Sequence, residues 1–334
     1  MEKLRAGIIG ATGMVGQRFI SLLKDHPWFS VSCVAASARS AGKRYREAVG
    51  ARWAFDWPIP ENTAEMTVLD AADIDAVSEK VDFIFCAVDM KKEEIRALEE
   101  AYAKHGIPVV SNNSACRGLK DVPMVVPEIN AAHLEVIPTQ RKRLGTEHGF
   151  IAVKPNCSIQ SYVPALTPLL DFSPTEVSVC TYQAISGAGK TFKTWPEMVD
   201  NVIPYIGGED EKSEQEPLKL WGHVEDLGEG PVIVNAEKPV ISAQCLRVAA
   251  SDGHMAAVSV RFAEKVTKEQ ILERWANYET EAQRLELPSA PKPFLQYFED
   301  PSRPQTRLDR DFQRGFGVSI GRLREDRIDR KSVV

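Results

Sequence analysis

Cysteine does covalent chemistry as a thiolate, so a cysteine set where backbone N–H groups converge is a place to look for a nucleophile. Cys157 lies in Lys154-Pro155-Asn156-Cys157-Ser158. An apolar run, Phe150–Val153, leads into it and reads as a short buried strand. A mostly apolar stretch, Ile159–Leu170, leaves it and reads as a helix bent at Pro164 and Pro168. That places the thiol at a strand-to-helix junction, where the positive end of the helix dipole favours the thiolate. The competing account is a small buried hydrophobe at a helix start. A second chemical group comes from Ala250-Ser251-Asp252-Gly253-His254, between strand-like runs Val240–Ala249 and Met255–Phe262. Asp-Gly between apolar runs predicts a hairpin-type turn. It leaves Arg247 near the end of one strand and His254 at the start of the next, a base and an anion-binding cation at one end of a sheet. Cysteine with histidine is the minimal pair for thiolate catalysis. The other histidines (His26, His105, His133, His148 and His223) lack such a setting.

A nucleotide platform precedes these groups. Ala6–Ile9 reads as a strand, followed by Gly10-Ala11-Thr12-Gly13-Met14-Val15-Gly16 and a helical pattern over Val15–Leu23. Glycines at this spacing let the chain turn tightly and let a pyrophosphate approach a helix N-terminus. The second strand, Val31–Ala36, ends in Ser37-Ala38-Arg39-Ser40. NAD sites often carry a carboxylate there for the ribose hydroxyl; two hydroxyls and a cation suit a 2′-phosphate instead, so NADP is expected over NAD. The alternation continues with a strand at Val81–Ala87, a helix at Lys92–Lys104 and a strand at Ile107–Val110. Repeated βα units predict a doubly wound parallel sheet. Ser111-Asn112-Asn113-Ser114-Ala115-Cys116-Arg117 follows the last of these strands, where open α/β sheets place ligands. It reads either as an anion site with Arg117 as clamp or as a turn rich in Asn and Ser. Val122–Val126 reads as a strand, and Ala131–Arg143 as a helix capped by Asn130.

In the second half, Thr175–Ile185 predicts a long strand that delivers Gln183. Ser186-Gly187-Ala188-Gly189-Lys190-Thr191 then approaches a phosphate-loop pattern, but Ala184 stands where the first glycine is needed, so it reads as a turn near the site. A helix is expected over Glu209–Lys219, with Glu209 and Lys212 on one face; by itself that is an exposed ion pair.

Composition limits the alternatives. The chain has 334 residues, roughly two domains by size. It is 43% hydrophobic and 26% charged, with formal net charge -6, which fits a globular protein and disfavours non-specific nucleic-acid binding. No run approaches the ~20 apolar residues of a membrane span, and Met1–Arg5 runs straight into a strand with no room for a signal peptide. The six cysteines show no C-x-x-C pair and no metal-ligand spacing, so reduced thiols in a cytoplasmic protein without a metal are expected.

Taken in order, Gly10-Ala-Thr-Gly-Met-Val-Gly16, Ala36-Ser-Ala-Arg-Ser-Ala-Gly-Lys43, Val122-Pro-Met-Val-Val-Pro127, Asn156-Cys-Ser158, Gln183-Ala-Ile-Ser-Gly-Ala-Gly189, Ile203–Lys212 and Cys245-Leu-Arg-Val with Asp252-Gly-His254 resemble the aspartate-β-semialdehyde dehydrogenase family. The likeness is stronger to its archaeal and fungal branch. The resemblance implies NADPH-dependent reductive dephosphorylation of aspartyl-4-phosphate to aspartate semialdehyde and phosphate, toward lysine, threonine and methionine. Carried over, Cys157 is the nucleophile that forms a thioester, Gln183 orients it and His254 is the acid–base. Arg247 and Glu209 hold the substrate's carboxylate and amino group. Lys212 and Arg117, with Asn112 or Asn113, bind phosphate. Gly10, Thr12, Gly13, Met14, Val15, Gly16, Ser37, Arg39, Ser40, Ser186 and Gly187 face the cofactor.

The expected architecture is an α/β protein. Residues 1–150 form a Rossmann-type NADP-binding domain. Residues 151–334 form an α+β catalytic and dimerisation domain with a mostly antiparallel sheet, like that of glyceraldehyde-3-phosphate dehydrogenase. A homodimer or homotetramer is expected, with no nucleic-acid or membrane partner. After the strand expected at Gly315–Leu323, the family's small-residue-rich helix, which returns to the cofactor domain, has no counterpart before Val334. Two other readings fit parts of the chain. A malonyl-CoA reductase would keep Cys157 and His254 but has no use for Glu209, since malonyl lacks an amino group. A non-catalytic relative would not need Cys157, Gln183, Arg247 and His254 together.

Overall fold

The computed structural model describes residues 2–327 and the backbone of Ser332–Val333. The chain divides into two compact units. The first comprises Met1–Val125, Ala132–Lys154 and Val224–Ile233; the second comprises Val126–Ala131, Pro155–His223 and Val234–Val334.

The first unit is built on six parallel strands: β1 (Leu4–Ile9), β2 (Phe29–Ala36), β3 (Leu69–Asp70), β4 (Phe83–Cys86), β5 (Pro108–Ser111) and β6 (Phe150–Val153). Their order is β3-β2-β1-β4-β5-β6, so the direction of winding reverses between β1 and β4. Helices Met14–Leu23 and Lys92–Lys104 supply crossovers, as parallel pairing requires. The strands are buried apolar runs; Ile8, Ile9, Val34 and Ile84 are wholly inaccessible, each contributing roughly 1.5–3 kcal/mol by burial.

At the end of β1 the chain must turn without a side chain. Gly10 has φ +84°, and a Cβ there would lie 2.3 Å from the Ala87 carbonyl oxygen. The N–H groups of Gly10 and Ala11 both bond the Ala35 carbonyl (2.9 and 3.0 Å), and the buried Tyr45 hydroxyl donates to the Ala11 carbonyl at 2.8 Å. The turn is thus tied to β2 and to the interior before the Met14–Leu23 helix begins.

Two expected elements of this half take other forms. Val122–Val126 is not a strand: its link to the sheet is an isolated Met124 bridge to Val153, with Val153 N–H on the Pro123 carbonyl and Val125 N–H on that of Val153. Ala131–Arg143 is not one helix either. It opens as a helical turn at Pro127–Asn130, continues as a 3-10 segment at Ala131–Val136 and ends as Ile137–Leu144, with Pro138 at the second break. Asn130 closes the first turn rather than capping a following helix; its side-chain oxygen accepts the Val126 N–H at 2.9 Å.

The remaining strands are β7 (Pro174–Gln183), β8 (Val202–Ile203), β9 (His223–Asp226), β10 (Pro231–Val234), β11 (Val240–Val248), β12 (Met255–Phe262), β13 (Leu295–Phe298), β14 (Val318–Gly321) and β15 (Ser332–Val333). Strands β9 and β10 pair as a ribbon, and β13 and β14 as a parallel pair. The five-stranded sheet of the second unit has the order β15-β12-β7-β11-β8. It is mixed: β11 runs parallel to β7, and the other pairs are antiparallel.

Strands β11 and β12 therefore do not form the expected hairpin. Both pair with β7, one on each side, and their connection rounds the carboxyl end of β7. The local signal was sound, since Gly253 does turn with φ +88°. A turn motif fixes a change of direction; which edges then meet depends on a third strand that it does not contain.

Candidate active site

Cys157 lies where β6 stops. Lys154 N–H makes the last ladder-like bond, to the Ser111 carbonyl at 2.8 Å, and Pro155 has no N–H to continue it. Asn156 then folds the chain on itself. Its side-chain oxygen accepts both the Ser158 N–H (2.8 Å) and the Ser158 hydroxyl (2.7 Å), an Asx turn around the cysteine. The helix expected over Ile159–Leu170 is broken into three pieces, Ser158–Ser161, Val163–Leu166 and Thr167–Phe172. Pro164 and Pro168 each remove a donor from what would be a continuous ladder, and Tyr162 leaves helical geometry at φ -133°. The macrodipole expected to favour a thiolate is accordingly that of one short turn.

Charge near the sulfur comes instead from Arg247. Burial pushes this guanidinium below its ordinary value, while the negative charges of a Cys157 thiolate and of Glu209 pull it back up. Strand register explains the grouping. Arg247 of β11 is the partner of Gln183 of β7, and Met255, which follows His254, is the partner of Tyr182. Three side chains distant in sequence thus emerge at one sheet end. His254 Nε2 faces Cys157 Sγ at 3.3 Å. Its Nδ1 accepts the Ala184 N–H at 3.1 Å, and Arg247 Nη1 donates to the Ala184 carbonyl at 2.8 Å.

The helix Glu209–Leu220 carries the other polar groups. It starts after Gly208 in the left-handed region at φ +72°, with Glu209, Asp210 and Glu211 at its positive end. Asp210 and Glu214 are four apart, about 6 Å along the axis, close to the ~7 Å between alternate residues of a strand. They accept the N–H groups of Cys245 (2.8 Å) and Ala243 (3.1 Å) on β11, so two carboxylates finish a sheet edge that β8 covers only at Arg247 and Val248. Pro217 inside the helix cannot donate to the Ser213 carbonyl, and the buried Tyr162 hydroxyl does so instead at 2.7 Å. These links fix Glu209 and Lys212 relative to Cys157.

Glu209 is buried and well partnered. Lys212 Nζ lies 2.8 Å from Oε1, the Asn156 amide donates to both oxygens (3.0 and 2.9 Å) and the Gln183 amide reaches Oε2 at 3.4 Å. Burial works to raise its carboxyl, but the Lys212 ammonium and the two amides outweigh it and hold Glu209 below its ordinary value. A carboxyl depressed in the folded state stabilises the protein above the unfolded value, about 4.3 for Glu. That contribution is lost as pH falls through the depressed value. The thermal midpoint of the native chain, measured against that of Glu209→Gln, should therefore fall as pH drops below about 4. A constant difference across that range would contradict the assignment.

The groups expected on the first unit have their own settings. Arg117 is backed by two carbonyls, Nε on Lys154 (2.8 Å) and Nη2 on Asn112 (3.1 Å). The Asn113 amide nitrogen turns inward, 3.0 Å from Glu99 Oε1 and 3.5 Å from Cys86 Sγ, and the buried Ser111 hydroxyl also bonds Glu99. Asn113 is thus anchored through the atom that would donate to an anion. Ser37-Ala38-Arg39-Ser40 forms a turn at the end of β2, closed by Ser40 N–H on the Ser37 carbonyl (2.8 Å), with Arg39 exposed. Thr12 and Gly13 lie in the turn after β1; Met14, Val15 and Gly16 begin the following helix. In the second unit Ser186 bonds Asp252 at 2.9 Å, bracing the His254 turn. At Gly187 an added Cβ would meet Arg247 Nη1 at 2.9 Å and His254 Cε1 and Nε2 at 3.0 and 3.1 Å. Sequence reasoning overlooked Asn156, whose position before Cys-Ser is a readable Asx signal, and the Ala184 backbone, which leaves no signal in residue type.

A thiol, an imidazole and a buried guanidinium lie at one sheet end, on a chain whose other unit is a doubly wound parallel sheet with a glycine turn, the build of a nucleotide-dependent dehydrogenase. Family descriptions agree with that class: "Semialdehyde dehydrogenase, NAD binding domain" matches residues 5–137 and "Semialdehyde dehydrogenase, dimerisation domain" matches residues 166–334. The chain is 40% identical to the aspartate-semialdehyde dehydrogenase of Aspergillus fumigatus over 97% of its own length and 88% of that protein's. To the enzyme of that name from Archaeoglobus fulgidus it is 41% identical, over 96% and 88% of the two chains. The crystal structure of the Candida albicans aspartate-semialdehyde dehydrogenase with NADP superposes with a TM-score of 0.86 at 36% identity, covering 99% of this chain and 92% of that one. The chain belongs to the aspartate-semialdehyde dehydrogenase family.

Proposed function

We propose that the protein catalyses reduction of aspartyl-4-phosphate to aspartate semialdehyde and phosphate with NADPH, through a thioester on Cys157. The observation that carries the reading is Cys157 Sγ 3.3 Å from His254 Nε2, with Arg247 and Glu209 grouped beside them. The thiolate attacks the acyl carbon, phosphate departs, and the thioester is reduced and released as aldehyde. His254 is the acid–base group beside the sulfur, and Gln183 orients the acyl group. Arg247 pairs with the substrate carboxylate; Glu209, held anionic by Lys212 and two amides, pairs with its ammonium group. Lys212 and Arg117 take the phosphate. That need for an ammonium group favours an aspartyl over a malonyl substrate.

The residues at the first sheet's switch point fit a dinucleotide phosphate. The glycine turn closes too tightly for a Cβ at Gly10, and the turn after β2 offers a guanidinium where a carboxylate would select NAD. NADPH, when bound, supplies hydride. Ser37, Arg39 and Ser40 hold its 2′-phosphate, and Gly10 to Gly16 its pyrophosphate. Residues 1–150 act as the cofactor domain and the remainder as the catalytic domain, through which two copies pair. Cytoplasmic localisation accords with the unpaired thiols.

Phosphate-dependent reduction of NADP by aspartate semialdehyde tests the reading; no turnover, or turnover only with coenzyme A, overturns it. Losing one charge-assisted contact costs about 1.5–3 kcal/mol. Arg39→Ala should accordingly raise KM for NADP roughly 10- to 100-fold and leave that for NAD within about twofold. Equal effects on both cofactors would remove Arg39 from the 2′-phosphate site.

A further inference from the structure

Asn156, the residue before Cys157, is held on every polar atom. Its amide donates to both Glu209 oxygens (3.0 and 2.9 Å), and its side-chain oxygen accepts the Ser158 N–H and hydroxyl. Its carbonyl lies 3.5 Å from Gln160 Nε2. Its own N–H donates to Glu216 Oε2 at 2.6 Å, the short, charge-assisted kind of bond. That N–H is the first backbone donor after β6: Lys154 N–H bonds the Ser111 carbonyl, and Pro155 has none. A carboxylate of the helix Glu209–Leu220 takes it. Glu209 and Glu216 are seven apart, two turns along one helix face and about 10 Å along the axis, and Asn156 bridges them. The helix is itself tied to β11 through Asp210 and Glu214 and to Tyr162 through the Ser213 carbonyl.

The two carboxylates are not equivalent. A carboxylate offers about four lone-pair sites, and those of Glu209 are approached by Lys212, by Gln183 and twice by Asn156. An ammonium group arriving at Glu209 has to share these sites, and Asn156, which takes two of them, has one to give up. Glu216 stands two turns away from that exchange. We infer that Glu216 is a positioning residue for Cys157: it keeps the Asx turn around the cysteine fixed to the helix while Glu209 turns to the substrate. The clamp stands on geometry alone; its use in turnover rests on the function proposed above. Reach matters here more than charge, because the group held is a backbone N–H that any correctly placed acceptor oxygen can take.

Pro-Asn occurs once in the sequence, at Pro155-Asn156. The full chain labelled with carbonyl-13C proline and 15N asparagine therefore gives one carbonyl-coupled amide signal in NMR, that of Asn156. Its exchange with deuterated water should be about 10- to 100-fold faster in Glu216→Ala than in the native protein. Glu216→Gln keeps an acceptor oxygen at the same reach and should exchange within about fivefold of native. Glu216→Asp keeps the charge but draws the oxygen back by one methylene, and should follow the alanine variant. In turnover, kcat should fall about 10- to 100-fold for Ala and Asp, stay within about fivefold for Gln, and leave KM for NADP within about twofold throughout. The Gln and Asp pair decides the matter even where the alanine variant does not fold. Native exchange in Glu216→Asp overturns the clamp. Faster exchange with native kcat overturns the positioning role, and so does a glutamine variant as slow as the aspartate one. The expected exchange rates in a native protein that does not turn over aspartate semialdehyde uphold the clamp and defeat the substrate reading, so the two failures are distinguishable.

Discussion

Cys157→Ala should lower the phosphate-dependent rate by on the order of 10³-fold or more, with KM for NADP unchanged. In the proposed mechanism the sulfur would do what no neighbour can replace, converting one difficult reduction of an acyl phosphate into attack, departure and reduction of a thioester. His254, Arg247 and Gln183 would remain in place, but each acts on a bond that only sulfur forms. Cys157 is exposed, so its removal leaves no cavity and the thermal midpoint should move by less than the equivalent of about 0.5 kcal/mol. The discriminating measurement is mass spectrometry of native enzyme mixed with aspartate semialdehyde and NADP without phosphate. An acyl adduct should appear on the Cys157 peptide and be absent from the alanine variant. Comparable turnover by that variant would end the thioester mechanism.

Gly187→Ala should lower kcat about 100-fold without unfolding the protein. The added carbon would stand 2.9 Å from Arg247 Nη1 and about as close to the His254 ring, so one of these side chains must move. Both are fixed by the Ala184 peptide and neither has slack. A displacement near 1 Å at reacting groups costs on the order of 10²-fold. Sequence resemblance places Gly187 against the cofactor instead. The kinetic split separates the two roles: packing against His254 and Arg247 predicts a fall in kcat, and cofactor contact predicts a rise in KM for NADP. An alanine variant with native kcat would remove Gly187 from the catalytic geometry.

The parallel sheet was readable because each βα unit states its own case. A buried apolar run, a glycine turn and an amphipathic helix lie within a few tens of residues, and parallel pairing follows from crossovers of that length. Two of the segments misread were those where proline decides. Ile159–Leu170 has the apolar content of a helix, yet Pro164 and Pro168 divide it, and Ile137–Leu144 starts anew at its own proline. Pro217, by contrast, stays within a helix because Tyr162, 55 residues earlier in the sequence, supplies the missing donor.

For the site, residue type and setting singled out Cys157, Arg247 and His254 as candidates, while Gln183, Glu209 and Lys212 entered through the family resemblance, Glu209 and Lys212 reading by themselves as an exposed ion pair. What they do to one another is tertiary. The apparent hairpin after Val248 is a passage around β7, and only that passage brings Gln183, Arg247 and His254 to one sheet end. Glu209 is anionic in the fold because Lys212 and the Asn156 and Gln183 amides converge on it. The His254 ring is held by the backbone N–H of Ala184, a residue notable in the sequence only for not being glycine. Side-chain chemistry is written locally and can be read from residue types. Backbone donors are the same at every position, and where each one points is decided only when distant strands come into register.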